Sequence, residues 1–394
     1  MSSSPPPDAV QFEAFANLGP AVVPTIDLIK AMLAVGKGVS DLVFSPGRPP
    51  QVEKHGELVA VSVPGLELFR SSDTTRVAAD LIGSNMQALR TLQEQGSCDL
   101  SFSAPDVARF RVNVFRQRGS FAIVMRLIAS TIPSMSDLGL PTAIGDAASL
   151  KNGVVLVTGP TGSGKSSTLA ALIDLINETR PEHILTIEDP IEFLHKHKRG
   201  TVHQREVHSD TPTFAAALRA ALRQAPKVIL VGEMRDRETI EIALKAAETG
   251  HLVLSTLHTV DASSTVERVV GTFDSGDQHA IRGRFAASFR YVISQRLVPR
   301  KDGGRIAVLE ILRATMRTRD YVEKGETEGR SLIDAMRDGA LDGMQHFDGE
   351  IEKLVREGVI SQKDAYLFAT NPGNLRVALA DIPEENDGAV VITR

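Results

Sequence analysis

The chain has 394 residues, of which 42% are hydrophobic and 24% charged, a composition typical of folded globular proteins with two or three domains. Its formal net charge of −5 excludes a general electrostatic attraction to nucleic acids or anionic membranes. Because Cys98 is the single cysteine, an internal disulfide framework and a zinc site built from several cysteines of one chain are also excluded, which fits a reducing compartment.

The two ends of the chain differ in composition from the rest. Residues 1–20 are rich in serine and proline and residues 381–394 contain a run of acidic side chains, which predicts a flexible extension and an acidic tail. The start of the chain has neither the basic nor the apolar region of a secretory signal, and no apolar run approaches the ~18 residues of a membrane span. We therefore expect a cytoplasmic protein without membrane insertion.

A small α+β domain is predicted over residues 21–133. It opens with the helical pattern "TIDLIKAMLAVG" and continues in short alternating segments broken by glycine and proline. In "ARFRVNVF", strand alternation places Phe110 and Val112 on one face and Arg111 on the other, and in "FAIVMRL" it leaves Arg126 on the polar face. Solvated surface arginine is the common reason for such a pattern. Planar guanidinium groups also suit phosphate oxygens.

Residues 134–380 alternate apolar strands with helices, which predicts a parallel α/β sheet, and residues from about 325 to 380 form a predicted helical appendage. The apolar run at 154–157 suits a buried strand. After the next glycine-rich segment, apolar residues recur at helical spacing, namely at Leu169, Leu172, Ile173 and Ile176.

The glycine-rich segment between that strand and that helix reads "GPTGSGKSS". It fits the phosphate-binding pattern G-x-x-x-x-G-K-S/T, in which backbone amides surround phosphates, the lysine meets the β and γ charges and the hydroxyl binds Mg²⁺. A mobile surface turn would not explain a lysine and a hydroxyl in register between a strand and a helix. A nucleoside triphosphate site is therefore predicted at Gly159, Pro160, Thr161, Gly162, Ser163, Gly164, Lys165, Ser166 and Ser167.

Three later apolar runs end in polar residues that are candidates for the chemistry. They lead to Glu188, to Glu233 and to His258. In open parallel sheets, ligands lie beyond the carboxyl ends of strands, where acids hold Mg²⁺ or orient an attacking water. Glu233 occupies the position of the usual metal-binding acid, with Gly232 where many such enzymes have aspartate. We therefore predict Glu233 and Ser166 as Mg²⁺ ligands and Glu188 as the base, although each acid alone could equally be a helix cap or a surface charge.

Four further features have weaker functional interpretations. His258 could sense the γ-phosphate and His251 could brace the neighbouring strand, or both could simply bound a buried strand. Arg219 is a weaker candidate for a nucleotide contact. The stretch "HKHKRG" at 195–200 is predicted to be a solvated basic loop, because two histidines without a nearby acid or cysteine make a poor metal-ligand set.

Five segments, in this order and spacing, resemble the PilT/PilU branch of the type IV pilus and type II/IV secretion ATPases: "GPTGSGKSSTLAAL", "ILTIEDPIEF", "VHQREV", "LVGEMRD" and "AETGHLVLSTLHT". The resemblance covers about residues 25–375. It implies a homohexameric ATP-driven motor with a PAS-like N-terminal domain and a RecA-like ATPase domain, located in the cytoplasm at the inner-membrane base of the pilus. The implied partners are an inner-membrane pilus platform protein and a second retraction ATPase, and the implied work is pilus retraction in twitching motility.

The resemblance also implies roles for individual residues. In that branch, the acids that match Glu188 and Glu233 act as the catalytic base and the Walker B residue. The segment that contains His258 matches the family's histidine box. Arg111 and Arg126 match arginines that approach the nucleotide, which makes them candidates for action on the site of a neighbouring subunit.

Two departures and two alternatives remain open. The segments "RQAPK" at 223–227 and "MRTRDYV" at 316–322 differ from the usual retraction motor, so the chain could retract pili alone or assist another motor. An assembly or secretion ATPase usually carries a four-cysteine zinc insert, which Cys98 alone cannot supply. A RecA-like nucleic-acid motor is disfavoured by the acidic balance, by zero tryptophans and by only three tyrosines for base stacking, so no direct nucleic-acid contact is expected.

Overall fold

A computed structural model of the chain describes Phe15, residues 23–129 and residues 131–383. The predicted extension and the predicted tail lie outside the described residues, apart from Phe15 and 381–383. The described chain divides into two compact units. The first comprises the described residues up to Ala129 with 192–194 and 208–210, and the second comprises 131–191, 195–207 and 211–383.

The first unit is an antiparallel sheet packed with helices. Its described elements are α1 (Thr25–Leu33), β1 (Val39–Phe44), β2 (Gln51–Lys54), β3 (Glu57–Ala60), α2 (Ser71–Ile82), α3 (Met86–Gln95), β4 (Ser97–Ala104), β5 (Ala108–Gln117) and β6 (Ser120–Leu127). The strands follow the order β3-β2-β1-β6-β5-β4, and neighbouring strands are antiparallel.

The hairpin of β5 and β6 shows why this sheet has one apolar and one polar face. Phe110, Val112 and Val114 are buried, whereas Arg111 is exposed, because successive strand residues point to opposite sides. The apolar side belongs to one core that also takes in residues of α1, α2 and α3. The alternation predicted for this hairpin is confirmed, and it leaves Arg126 of β6 exposed as well.

Cys98 on β4 belongs to this core and is only 2% exposed. Burial, and then the charge of Asp99, raise the pKa of its thiol to about 11. Because the thiolate is the reactive form, we expect a disulfide reagent at mildly alkaline pH to modify the native chain about 10²-fold more slowly than the chain unfolded in urea. The reagent's absorbance gives both rates. Native and unfolded rates within a few-fold of each other would contradict the buried placement of the thiol.

The second unit is built on a mixed sheet with helices on both faces. Its described elements are α4 (Thr142–Gly145), β7 (Gly153–Thr158), α5 (Lys165–Thr179), β8 (His183–Glu188), β9 (Thr201–Glu206), α6 (Phe214–Ala221), β10 (Val228–Val231), α7 (Arg237–Glu248), β11 (Leu252–Leu257), α8 (Ala262–Gly271), α9 (Gln278–Ser288), β12 (Phe289–Pro299), β13 (Arg305–Arg313), α10 (Met316–Lys324), α11 (Leu332–Asp338), α12 (Phe347–Arg356), α13 (Gln362–Phe368) and α14 (Pro372–Ala378).

The strand order is β13-β12-β7-β11-β10-β8-β9, and all neighbours are parallel except β12 and β13. Every residue of β7, β10 and β11 is buried, as expected for parallel strands covered on both faces. Apolar residues of α5 pack on one face, and those of α6 to α9 pack on the other. The predicted α/β class is confirmed, and the carboxyl ends of six parallel strands, β7 among them, meet at one edge.

The sequence predicts a helical appendage over about 325–380, a segment that contains the helices α11 to α14. Because α11 packs into the core shared with α6 to α9, the appendage comprises only α12, α13 and α14. They share a core with Val298 of β12 and Val308 of β13. The appendage is therefore attached to β13, at the edge of the sheet, and to β12, which lies between β13 and β7. Within the described part of the chain, no helix has both the length and the apolar character needed to cross a bilayer.

Candidate active site

The phosphate loop connects the end of β7 to the start of α5 at Lys165. Two of its glycines are required by geometry. Gly159 and Gly164 have φ values of +143° and +92°, in the region that favours glycine. A Cβ at Gly159 would lie 2.4 Å from the Gln295 carbonyl oxygen, and one at Gly164 would lie 2.7 Å from Gln295 Nε2. The loop therefore passes close over β12 and leaves no room for larger residues.

Lys165 lies inside this loop with 8% of its surface exposed. Its Nζ donates to the carbonyl oxygens of Gly159 at 2.8 Å and Pro160 at 3.0 Å. Burial lowers the pKa of Lys165, and the nearby charge of Glu233 opposes that shift. The Ser166 side chain is exposed. A buried positive charge beside backbone amides and a hydroxyl is the arrangement that binds polyphosphates.

Glu188 is the last residue of β8 and is 9% exposed. Its Oε1 accepts hydrogen bonds from Thr186 Oγ1 at 2.6 Å and from Gln204 Nε2 at 3.1 Å. The Gln204 oxygen in turn accepts from the His195 backbone N–H at 2.8 Å. Two neighbouring strands therefore orient this carboxylate. Sequence reasoning missed Gln204, although the parallel register of β8 and β9 places it opposite Thr186.

Glu233 lies two residues after the last residue of β10, next to the end of β8. The Gly232 N–H donates to the Ile187 carbonyl at 2.7 Å, and a Cβ on Gly232 would lie 3.4 Å from Glu188 Cα. The nearest atom to such a Cβ would be the Ile187 carbonyl oxygen at 3.3 Å, so Gly232 packs closely against the end of β8. Glu233 Oε2 lies 2.6 Å from Arg235 Nε and 3.5 Å from His258 Nε2.

A pocket of about 320 Å³ opens at this edge of the sheet and is lined by Glu233, Arg235, Thr256, Leu257, His258, Thr259 and Arg268. The structure therefore brings His258 to Glu233, and Glu233 to the neighbourhood of Lys165 and Glu188. These side chains come from the ends of β8, β10 and β11 and from the loop after β7. Carboxylates, a lysine and a histidine around one phosphate loop are the components of phosphoryl transfer to water.

A larger cavity of about 440 Å³ lies on the other side of the phosphate loop. Its lining residues are Pro160, Thr161, Gly162, Ser163, Val260, Arg296, Leu297, Arg305, Leu367, Phe368 and Ala369. It combines guanidinium groups with apolar side chains of the appendage. Sequence reasoning missed Arg296 and Arg305, since they match no short motif. Arg296 comes near the loop through the pairing of β12 with β7, and Arg305 through the pairing of β13 with β12.

The family model for type II/IV secretion system proteins matches residues 84–334. The chain belongs to this family. The type IV pilus retraction ATPase PilT of Pseudomonas aeruginosa is 43% identical over 338 residues, which cover 86% of this chain and 96% of PilT. The type IV pilus ATPase PilU of the same organism is 38% identical over 348 residues, covering 88% of this chain and 89% of PilU.

A solved structure agrees with these sequence relationships. The crystal structure of the pilus retraction motor PilT with bound ADP matches with a TM-score of 0.79 at 41% identity, and covers 89% of this chain and 98% of that one. The predicted resemblance and the two-domain ATPase fold are confirmed. The protein is an ATPase of the type II/IV secretion family.

In this secretion ATPase, the two predicted arginines lie together in the first unit. Arg111 of β5 and Arg126 of β6 are directly paired across the strands, and Asp41 of β1 is paired with Arg126. Arg126 Nε lies 3.0 Å from Asp41 Oδ1, which offsets the repulsion between like charges. The Arg111 guanidinium is exposed and makes no hydrogen bond or ion pair with another described residue.

The weaker sequence candidates of this secretion ATPase lie elsewhere in its second unit. His251 stands before β11, at the opposite end from His258, and its Nδ1 donates to the Ala246 carbonyl at 2.9 Å. It therefore braces the end of α7. Arg219 of α6 forms an exposed ion pair with Glu238 of α7.

The predicted basic loop at 195–200 is held against α5. Lys198 Nζ lies 2.8 Å from Asp174 Oδ2, and Asn177 donates to the Lys196 carbonyl at 2.8 Å. His195 is half-buried, and burial lowers its pKa to about 4, so this histidine is neutral at physiological pH. In the parts of the chain that the structure describes, no group of three or more His, Cys, Asp or Glu side chains is placed to hold a metal ion.

Proposed function

We propose that this ATPase is a motor that couples ATP hydrolysis to type IV pilus retraction. The observation that carries the proposal is the 43% identity to PilT, which runs through 96% of that protein. The chain also has Cys98 as its single cysteine and so cannot supply a four-cysteine zinc insert. Both observations favour the retraction branch over assembly and secretion motors.

The placement of the site residues supports a role for each of them. Lys165 and the loop amides hold the β- and γ-phosphates, and Glu188 accepts the proton of the attacking water. His258 contacts the γ-phosphate from its position 3.5 Å from Glu233. The exposed Ser166 hydroxyl and the Glu233 carboxylate fit the oxygen ligands of Mg²⁺. That ion, bound with ATP, would neutralise charge on the transferred phosphoryl group.

We place the nucleoside of ATP in the cavity of about 440 Å³ beside the phosphate loop. Its volume falls in the range of ~300–1,000 Å³ common for small-molecule sites. Most residues that line this cavity come from β12, β13, the appendage and the phosphate loop, whereas the acids lie at the ends of β8 and β10 on the other side of β7. A nucleotide lying across the loop would thus have its base near β12 and its γ-phosphate near the acids. Arg296 and Phe368 supply planar surfaces for an aromatic base.

The assembly we propose is a homohexamer in the cytoplasm at the inner-membrane base of the pilus. There it would act on a platform protein, together with a second retraction ATPase. In the ring, Arg111 and Arg126 of one subunit would act on the nucleotide of its neighbour. The exposed Arg111 guanidinium supports this contact, because an exposed side chain is available to a neighbouring subunit. A closed ring would repeat the same heterologous contact at every interface.

Deleting the gene and counting surface pili tests the function. Loss of a retraction motor leaves excess pili and abolishes twitching, whereas loss of an assembly motor leaves none. Complementation with the wild-type gene should restore both properties, and complementation with Lys165→Ala should restore neither. A deletion strain without surface pili would assign the chain to pilus assembly. Unchanged numbers of pili together with unchanged twitching would oppose any role in pilus movement.

A further inference from the structure

Gln295 of β12 lies beneath the phosphate loop, with 3% of its surface exposed. Its Nε2 donates to the Ser163 carbonyl at 2.6 Å, and its Oε1 accepts from Thr168 Oγ1 at 2.8 Å. Both hydrogen bonds are buried. One side chain therefore ties the middle of the loop and the first turn of α5 to the neighbouring strand.

The loop and Gln295 are shaped to each other. The Cβ that any other residue would add at Gly164 falls 2.7 Å from Gln295 Nε2, and at Gly159 it falls 2.4 Å from the Gln295 backbone oxygen. Two glycines of the phosphate-binding pattern therefore make room for this one residue. In phosphate-binding loops, glycines allow phosphates to approach the backbone. Here the same two glycines also allow Gln295 to approach the backbone.

The bond to Ser163 sets the direction of a peptide group. In a planar trans peptide the C=O and the next N–H point in opposite directions. Because the Ser163 carbonyl points at Gln295, the Gly164 N–H points away from it. Backbone N–H groups are the donors that bind phosphate in such loops, and ordering a glycine-rich loop costs conformational entropy.

We propose that Gln295 is a positioning residue for nucleotide binding: it orients the Ser163–Gly164 peptide and the start of α5 before ATP arrives. The inference rests on the proposed phosphate-binding role of the loop and deepens it. Gln295 does not touch the phosphates in this scheme. It lowers the ordering cost that binding would otherwise carry, so its loss appears in nucleotide affinity.

The test is the dissociation constant of MgADP, measured by calorimetry on the full chain. Gln295→Met keeps the length and apolar bulk of the side chain and removes both hydrogen bonds. Each is worth ~1 kcal/mol and every 1.4 kcal/mol is tenfold, so we expect about tenfold weaker binding or more. Thr168→Val removes the Oε1 bond alone, and it should weaken binding by a few-fold.

The matched control is Ser294→Ala. Ser294 is the preceding residue of β12, and its buried hydroxyl accepts from Thr158 Oγ1 at 3.0 Å, which joins β12 to β7 outside the loop. This variant should lower the melting temperature and leave the MgADP affinity unchanged. If Gln295 had only a structural role, Gln295→Met would also lower the melting temperature without changing the MgADP affinity. Comparison of the two variants therefore separates positioning from packing.

Each outcome has one meaning. If the wild-type chain fails to bind MgADP, the proposed nucleotide site itself is wrong. If the wild type binds and a folded Gln295→Met variant binds within twofold of it, this inference alone is overturned. Should Gln295→Met not fold, Thr168→Val decides by the same criterion, because its effect on affinity passes through the Gln295 amide.

Discussion

Replacing Glu188 by glutamine is expected to lower ATP turnover by about 10²-fold or more and to leave ATP affinity within a few-fold of wild type. Glutamine has the same shape, and its oxygen still accepts from Thr186 Oγ1 and Gln204 Nε2, so the end of β8 keeps its bonds. An amide cannot accept the proton of the attacking water. The variant should therefore bind ATP and retain it, as measured by steady-state phosphate release and by the dissociation constant.

A matched control makes the same chemical change beyond the other end of β8. Glu182 precedes the strand and is paired with Arg180 at 2.6 Å, away from the phosphate loop. Glu182→Gln should leave turnover unchanged. If Glu188→Gln turned over ATP at the wild-type rate, the base would have to be Glu233 or another group, and the orientation of Glu188 by two strands would need a different explanation.

Mixing two inactive variants is expected to restore activity. Lys165→Ala removes the lysine proposed to bind the phosphates, and Arg111→Ala removes the proposed contact with the nucleotide of the neighbouring subunit. Each variant alone should therefore hydrolyse ATP poorly. In randomly assembled 1:1 rings, roughly a quarter of the sites combine an intact Lys165 with an intact Arg111. Phosphate release from the mixture should rise to that fraction of the wild-type rate.

Two controls give this experiment its meaning. Co-purification through different tags must show that the variants enter the same ring. Wild type mixed with Lys165→Ala then reports whether a ring tolerates dead subunits. A proportional fall in that control, together with no rescue in the first mixture, would mean that Arg111 does not act on the neighbouring nucleotide.

Local patterns explain how much of this fold could be predicted. The alternation in β5 and β6 can be recognised from neighbouring residues alone, because side chains of a strand point to alternate faces. The strand and the helix around Lys165 can be recognised in the same way, from the periodicity of their apolar residues. Glu188 and Glu233 could be proposed for the same reason, since each follows an apolar run. The order of their strands in the sheet could not be derived from those runs, and the structure supplies it.

Contacts between distant parts of the chain were not predictable. Gln295 reaches Ser163 across 132 positions and Thr168 across 127. In a sequence it is an ordinary polar residue in a strand, and only the pairing of β12 with β7 gives it a function. Gln204 is similar, because its meaning depends on the register of β9 against β8. Such residues carry no local signature, so one sequence without a structure does not reveal them.

The side-chain contacts of β12 connect the phosphate loop to the appendage. Three consecutive residues are anchored to different bodies: Ser294 to β7, Gln295 to the phosphate loop and Arg296 to the appendage, where its guanidinium donates to the Phe368 carbonyl and lies 3.7 Å over the Phe347 ring. A strand rises about 3.3 Å per residue and cannot stretch. A shift of β12 along its own axis at the loop would therefore displace the appendage by an equal distance. The strand would act as a rigid connection between the phosphate loop and the appendage.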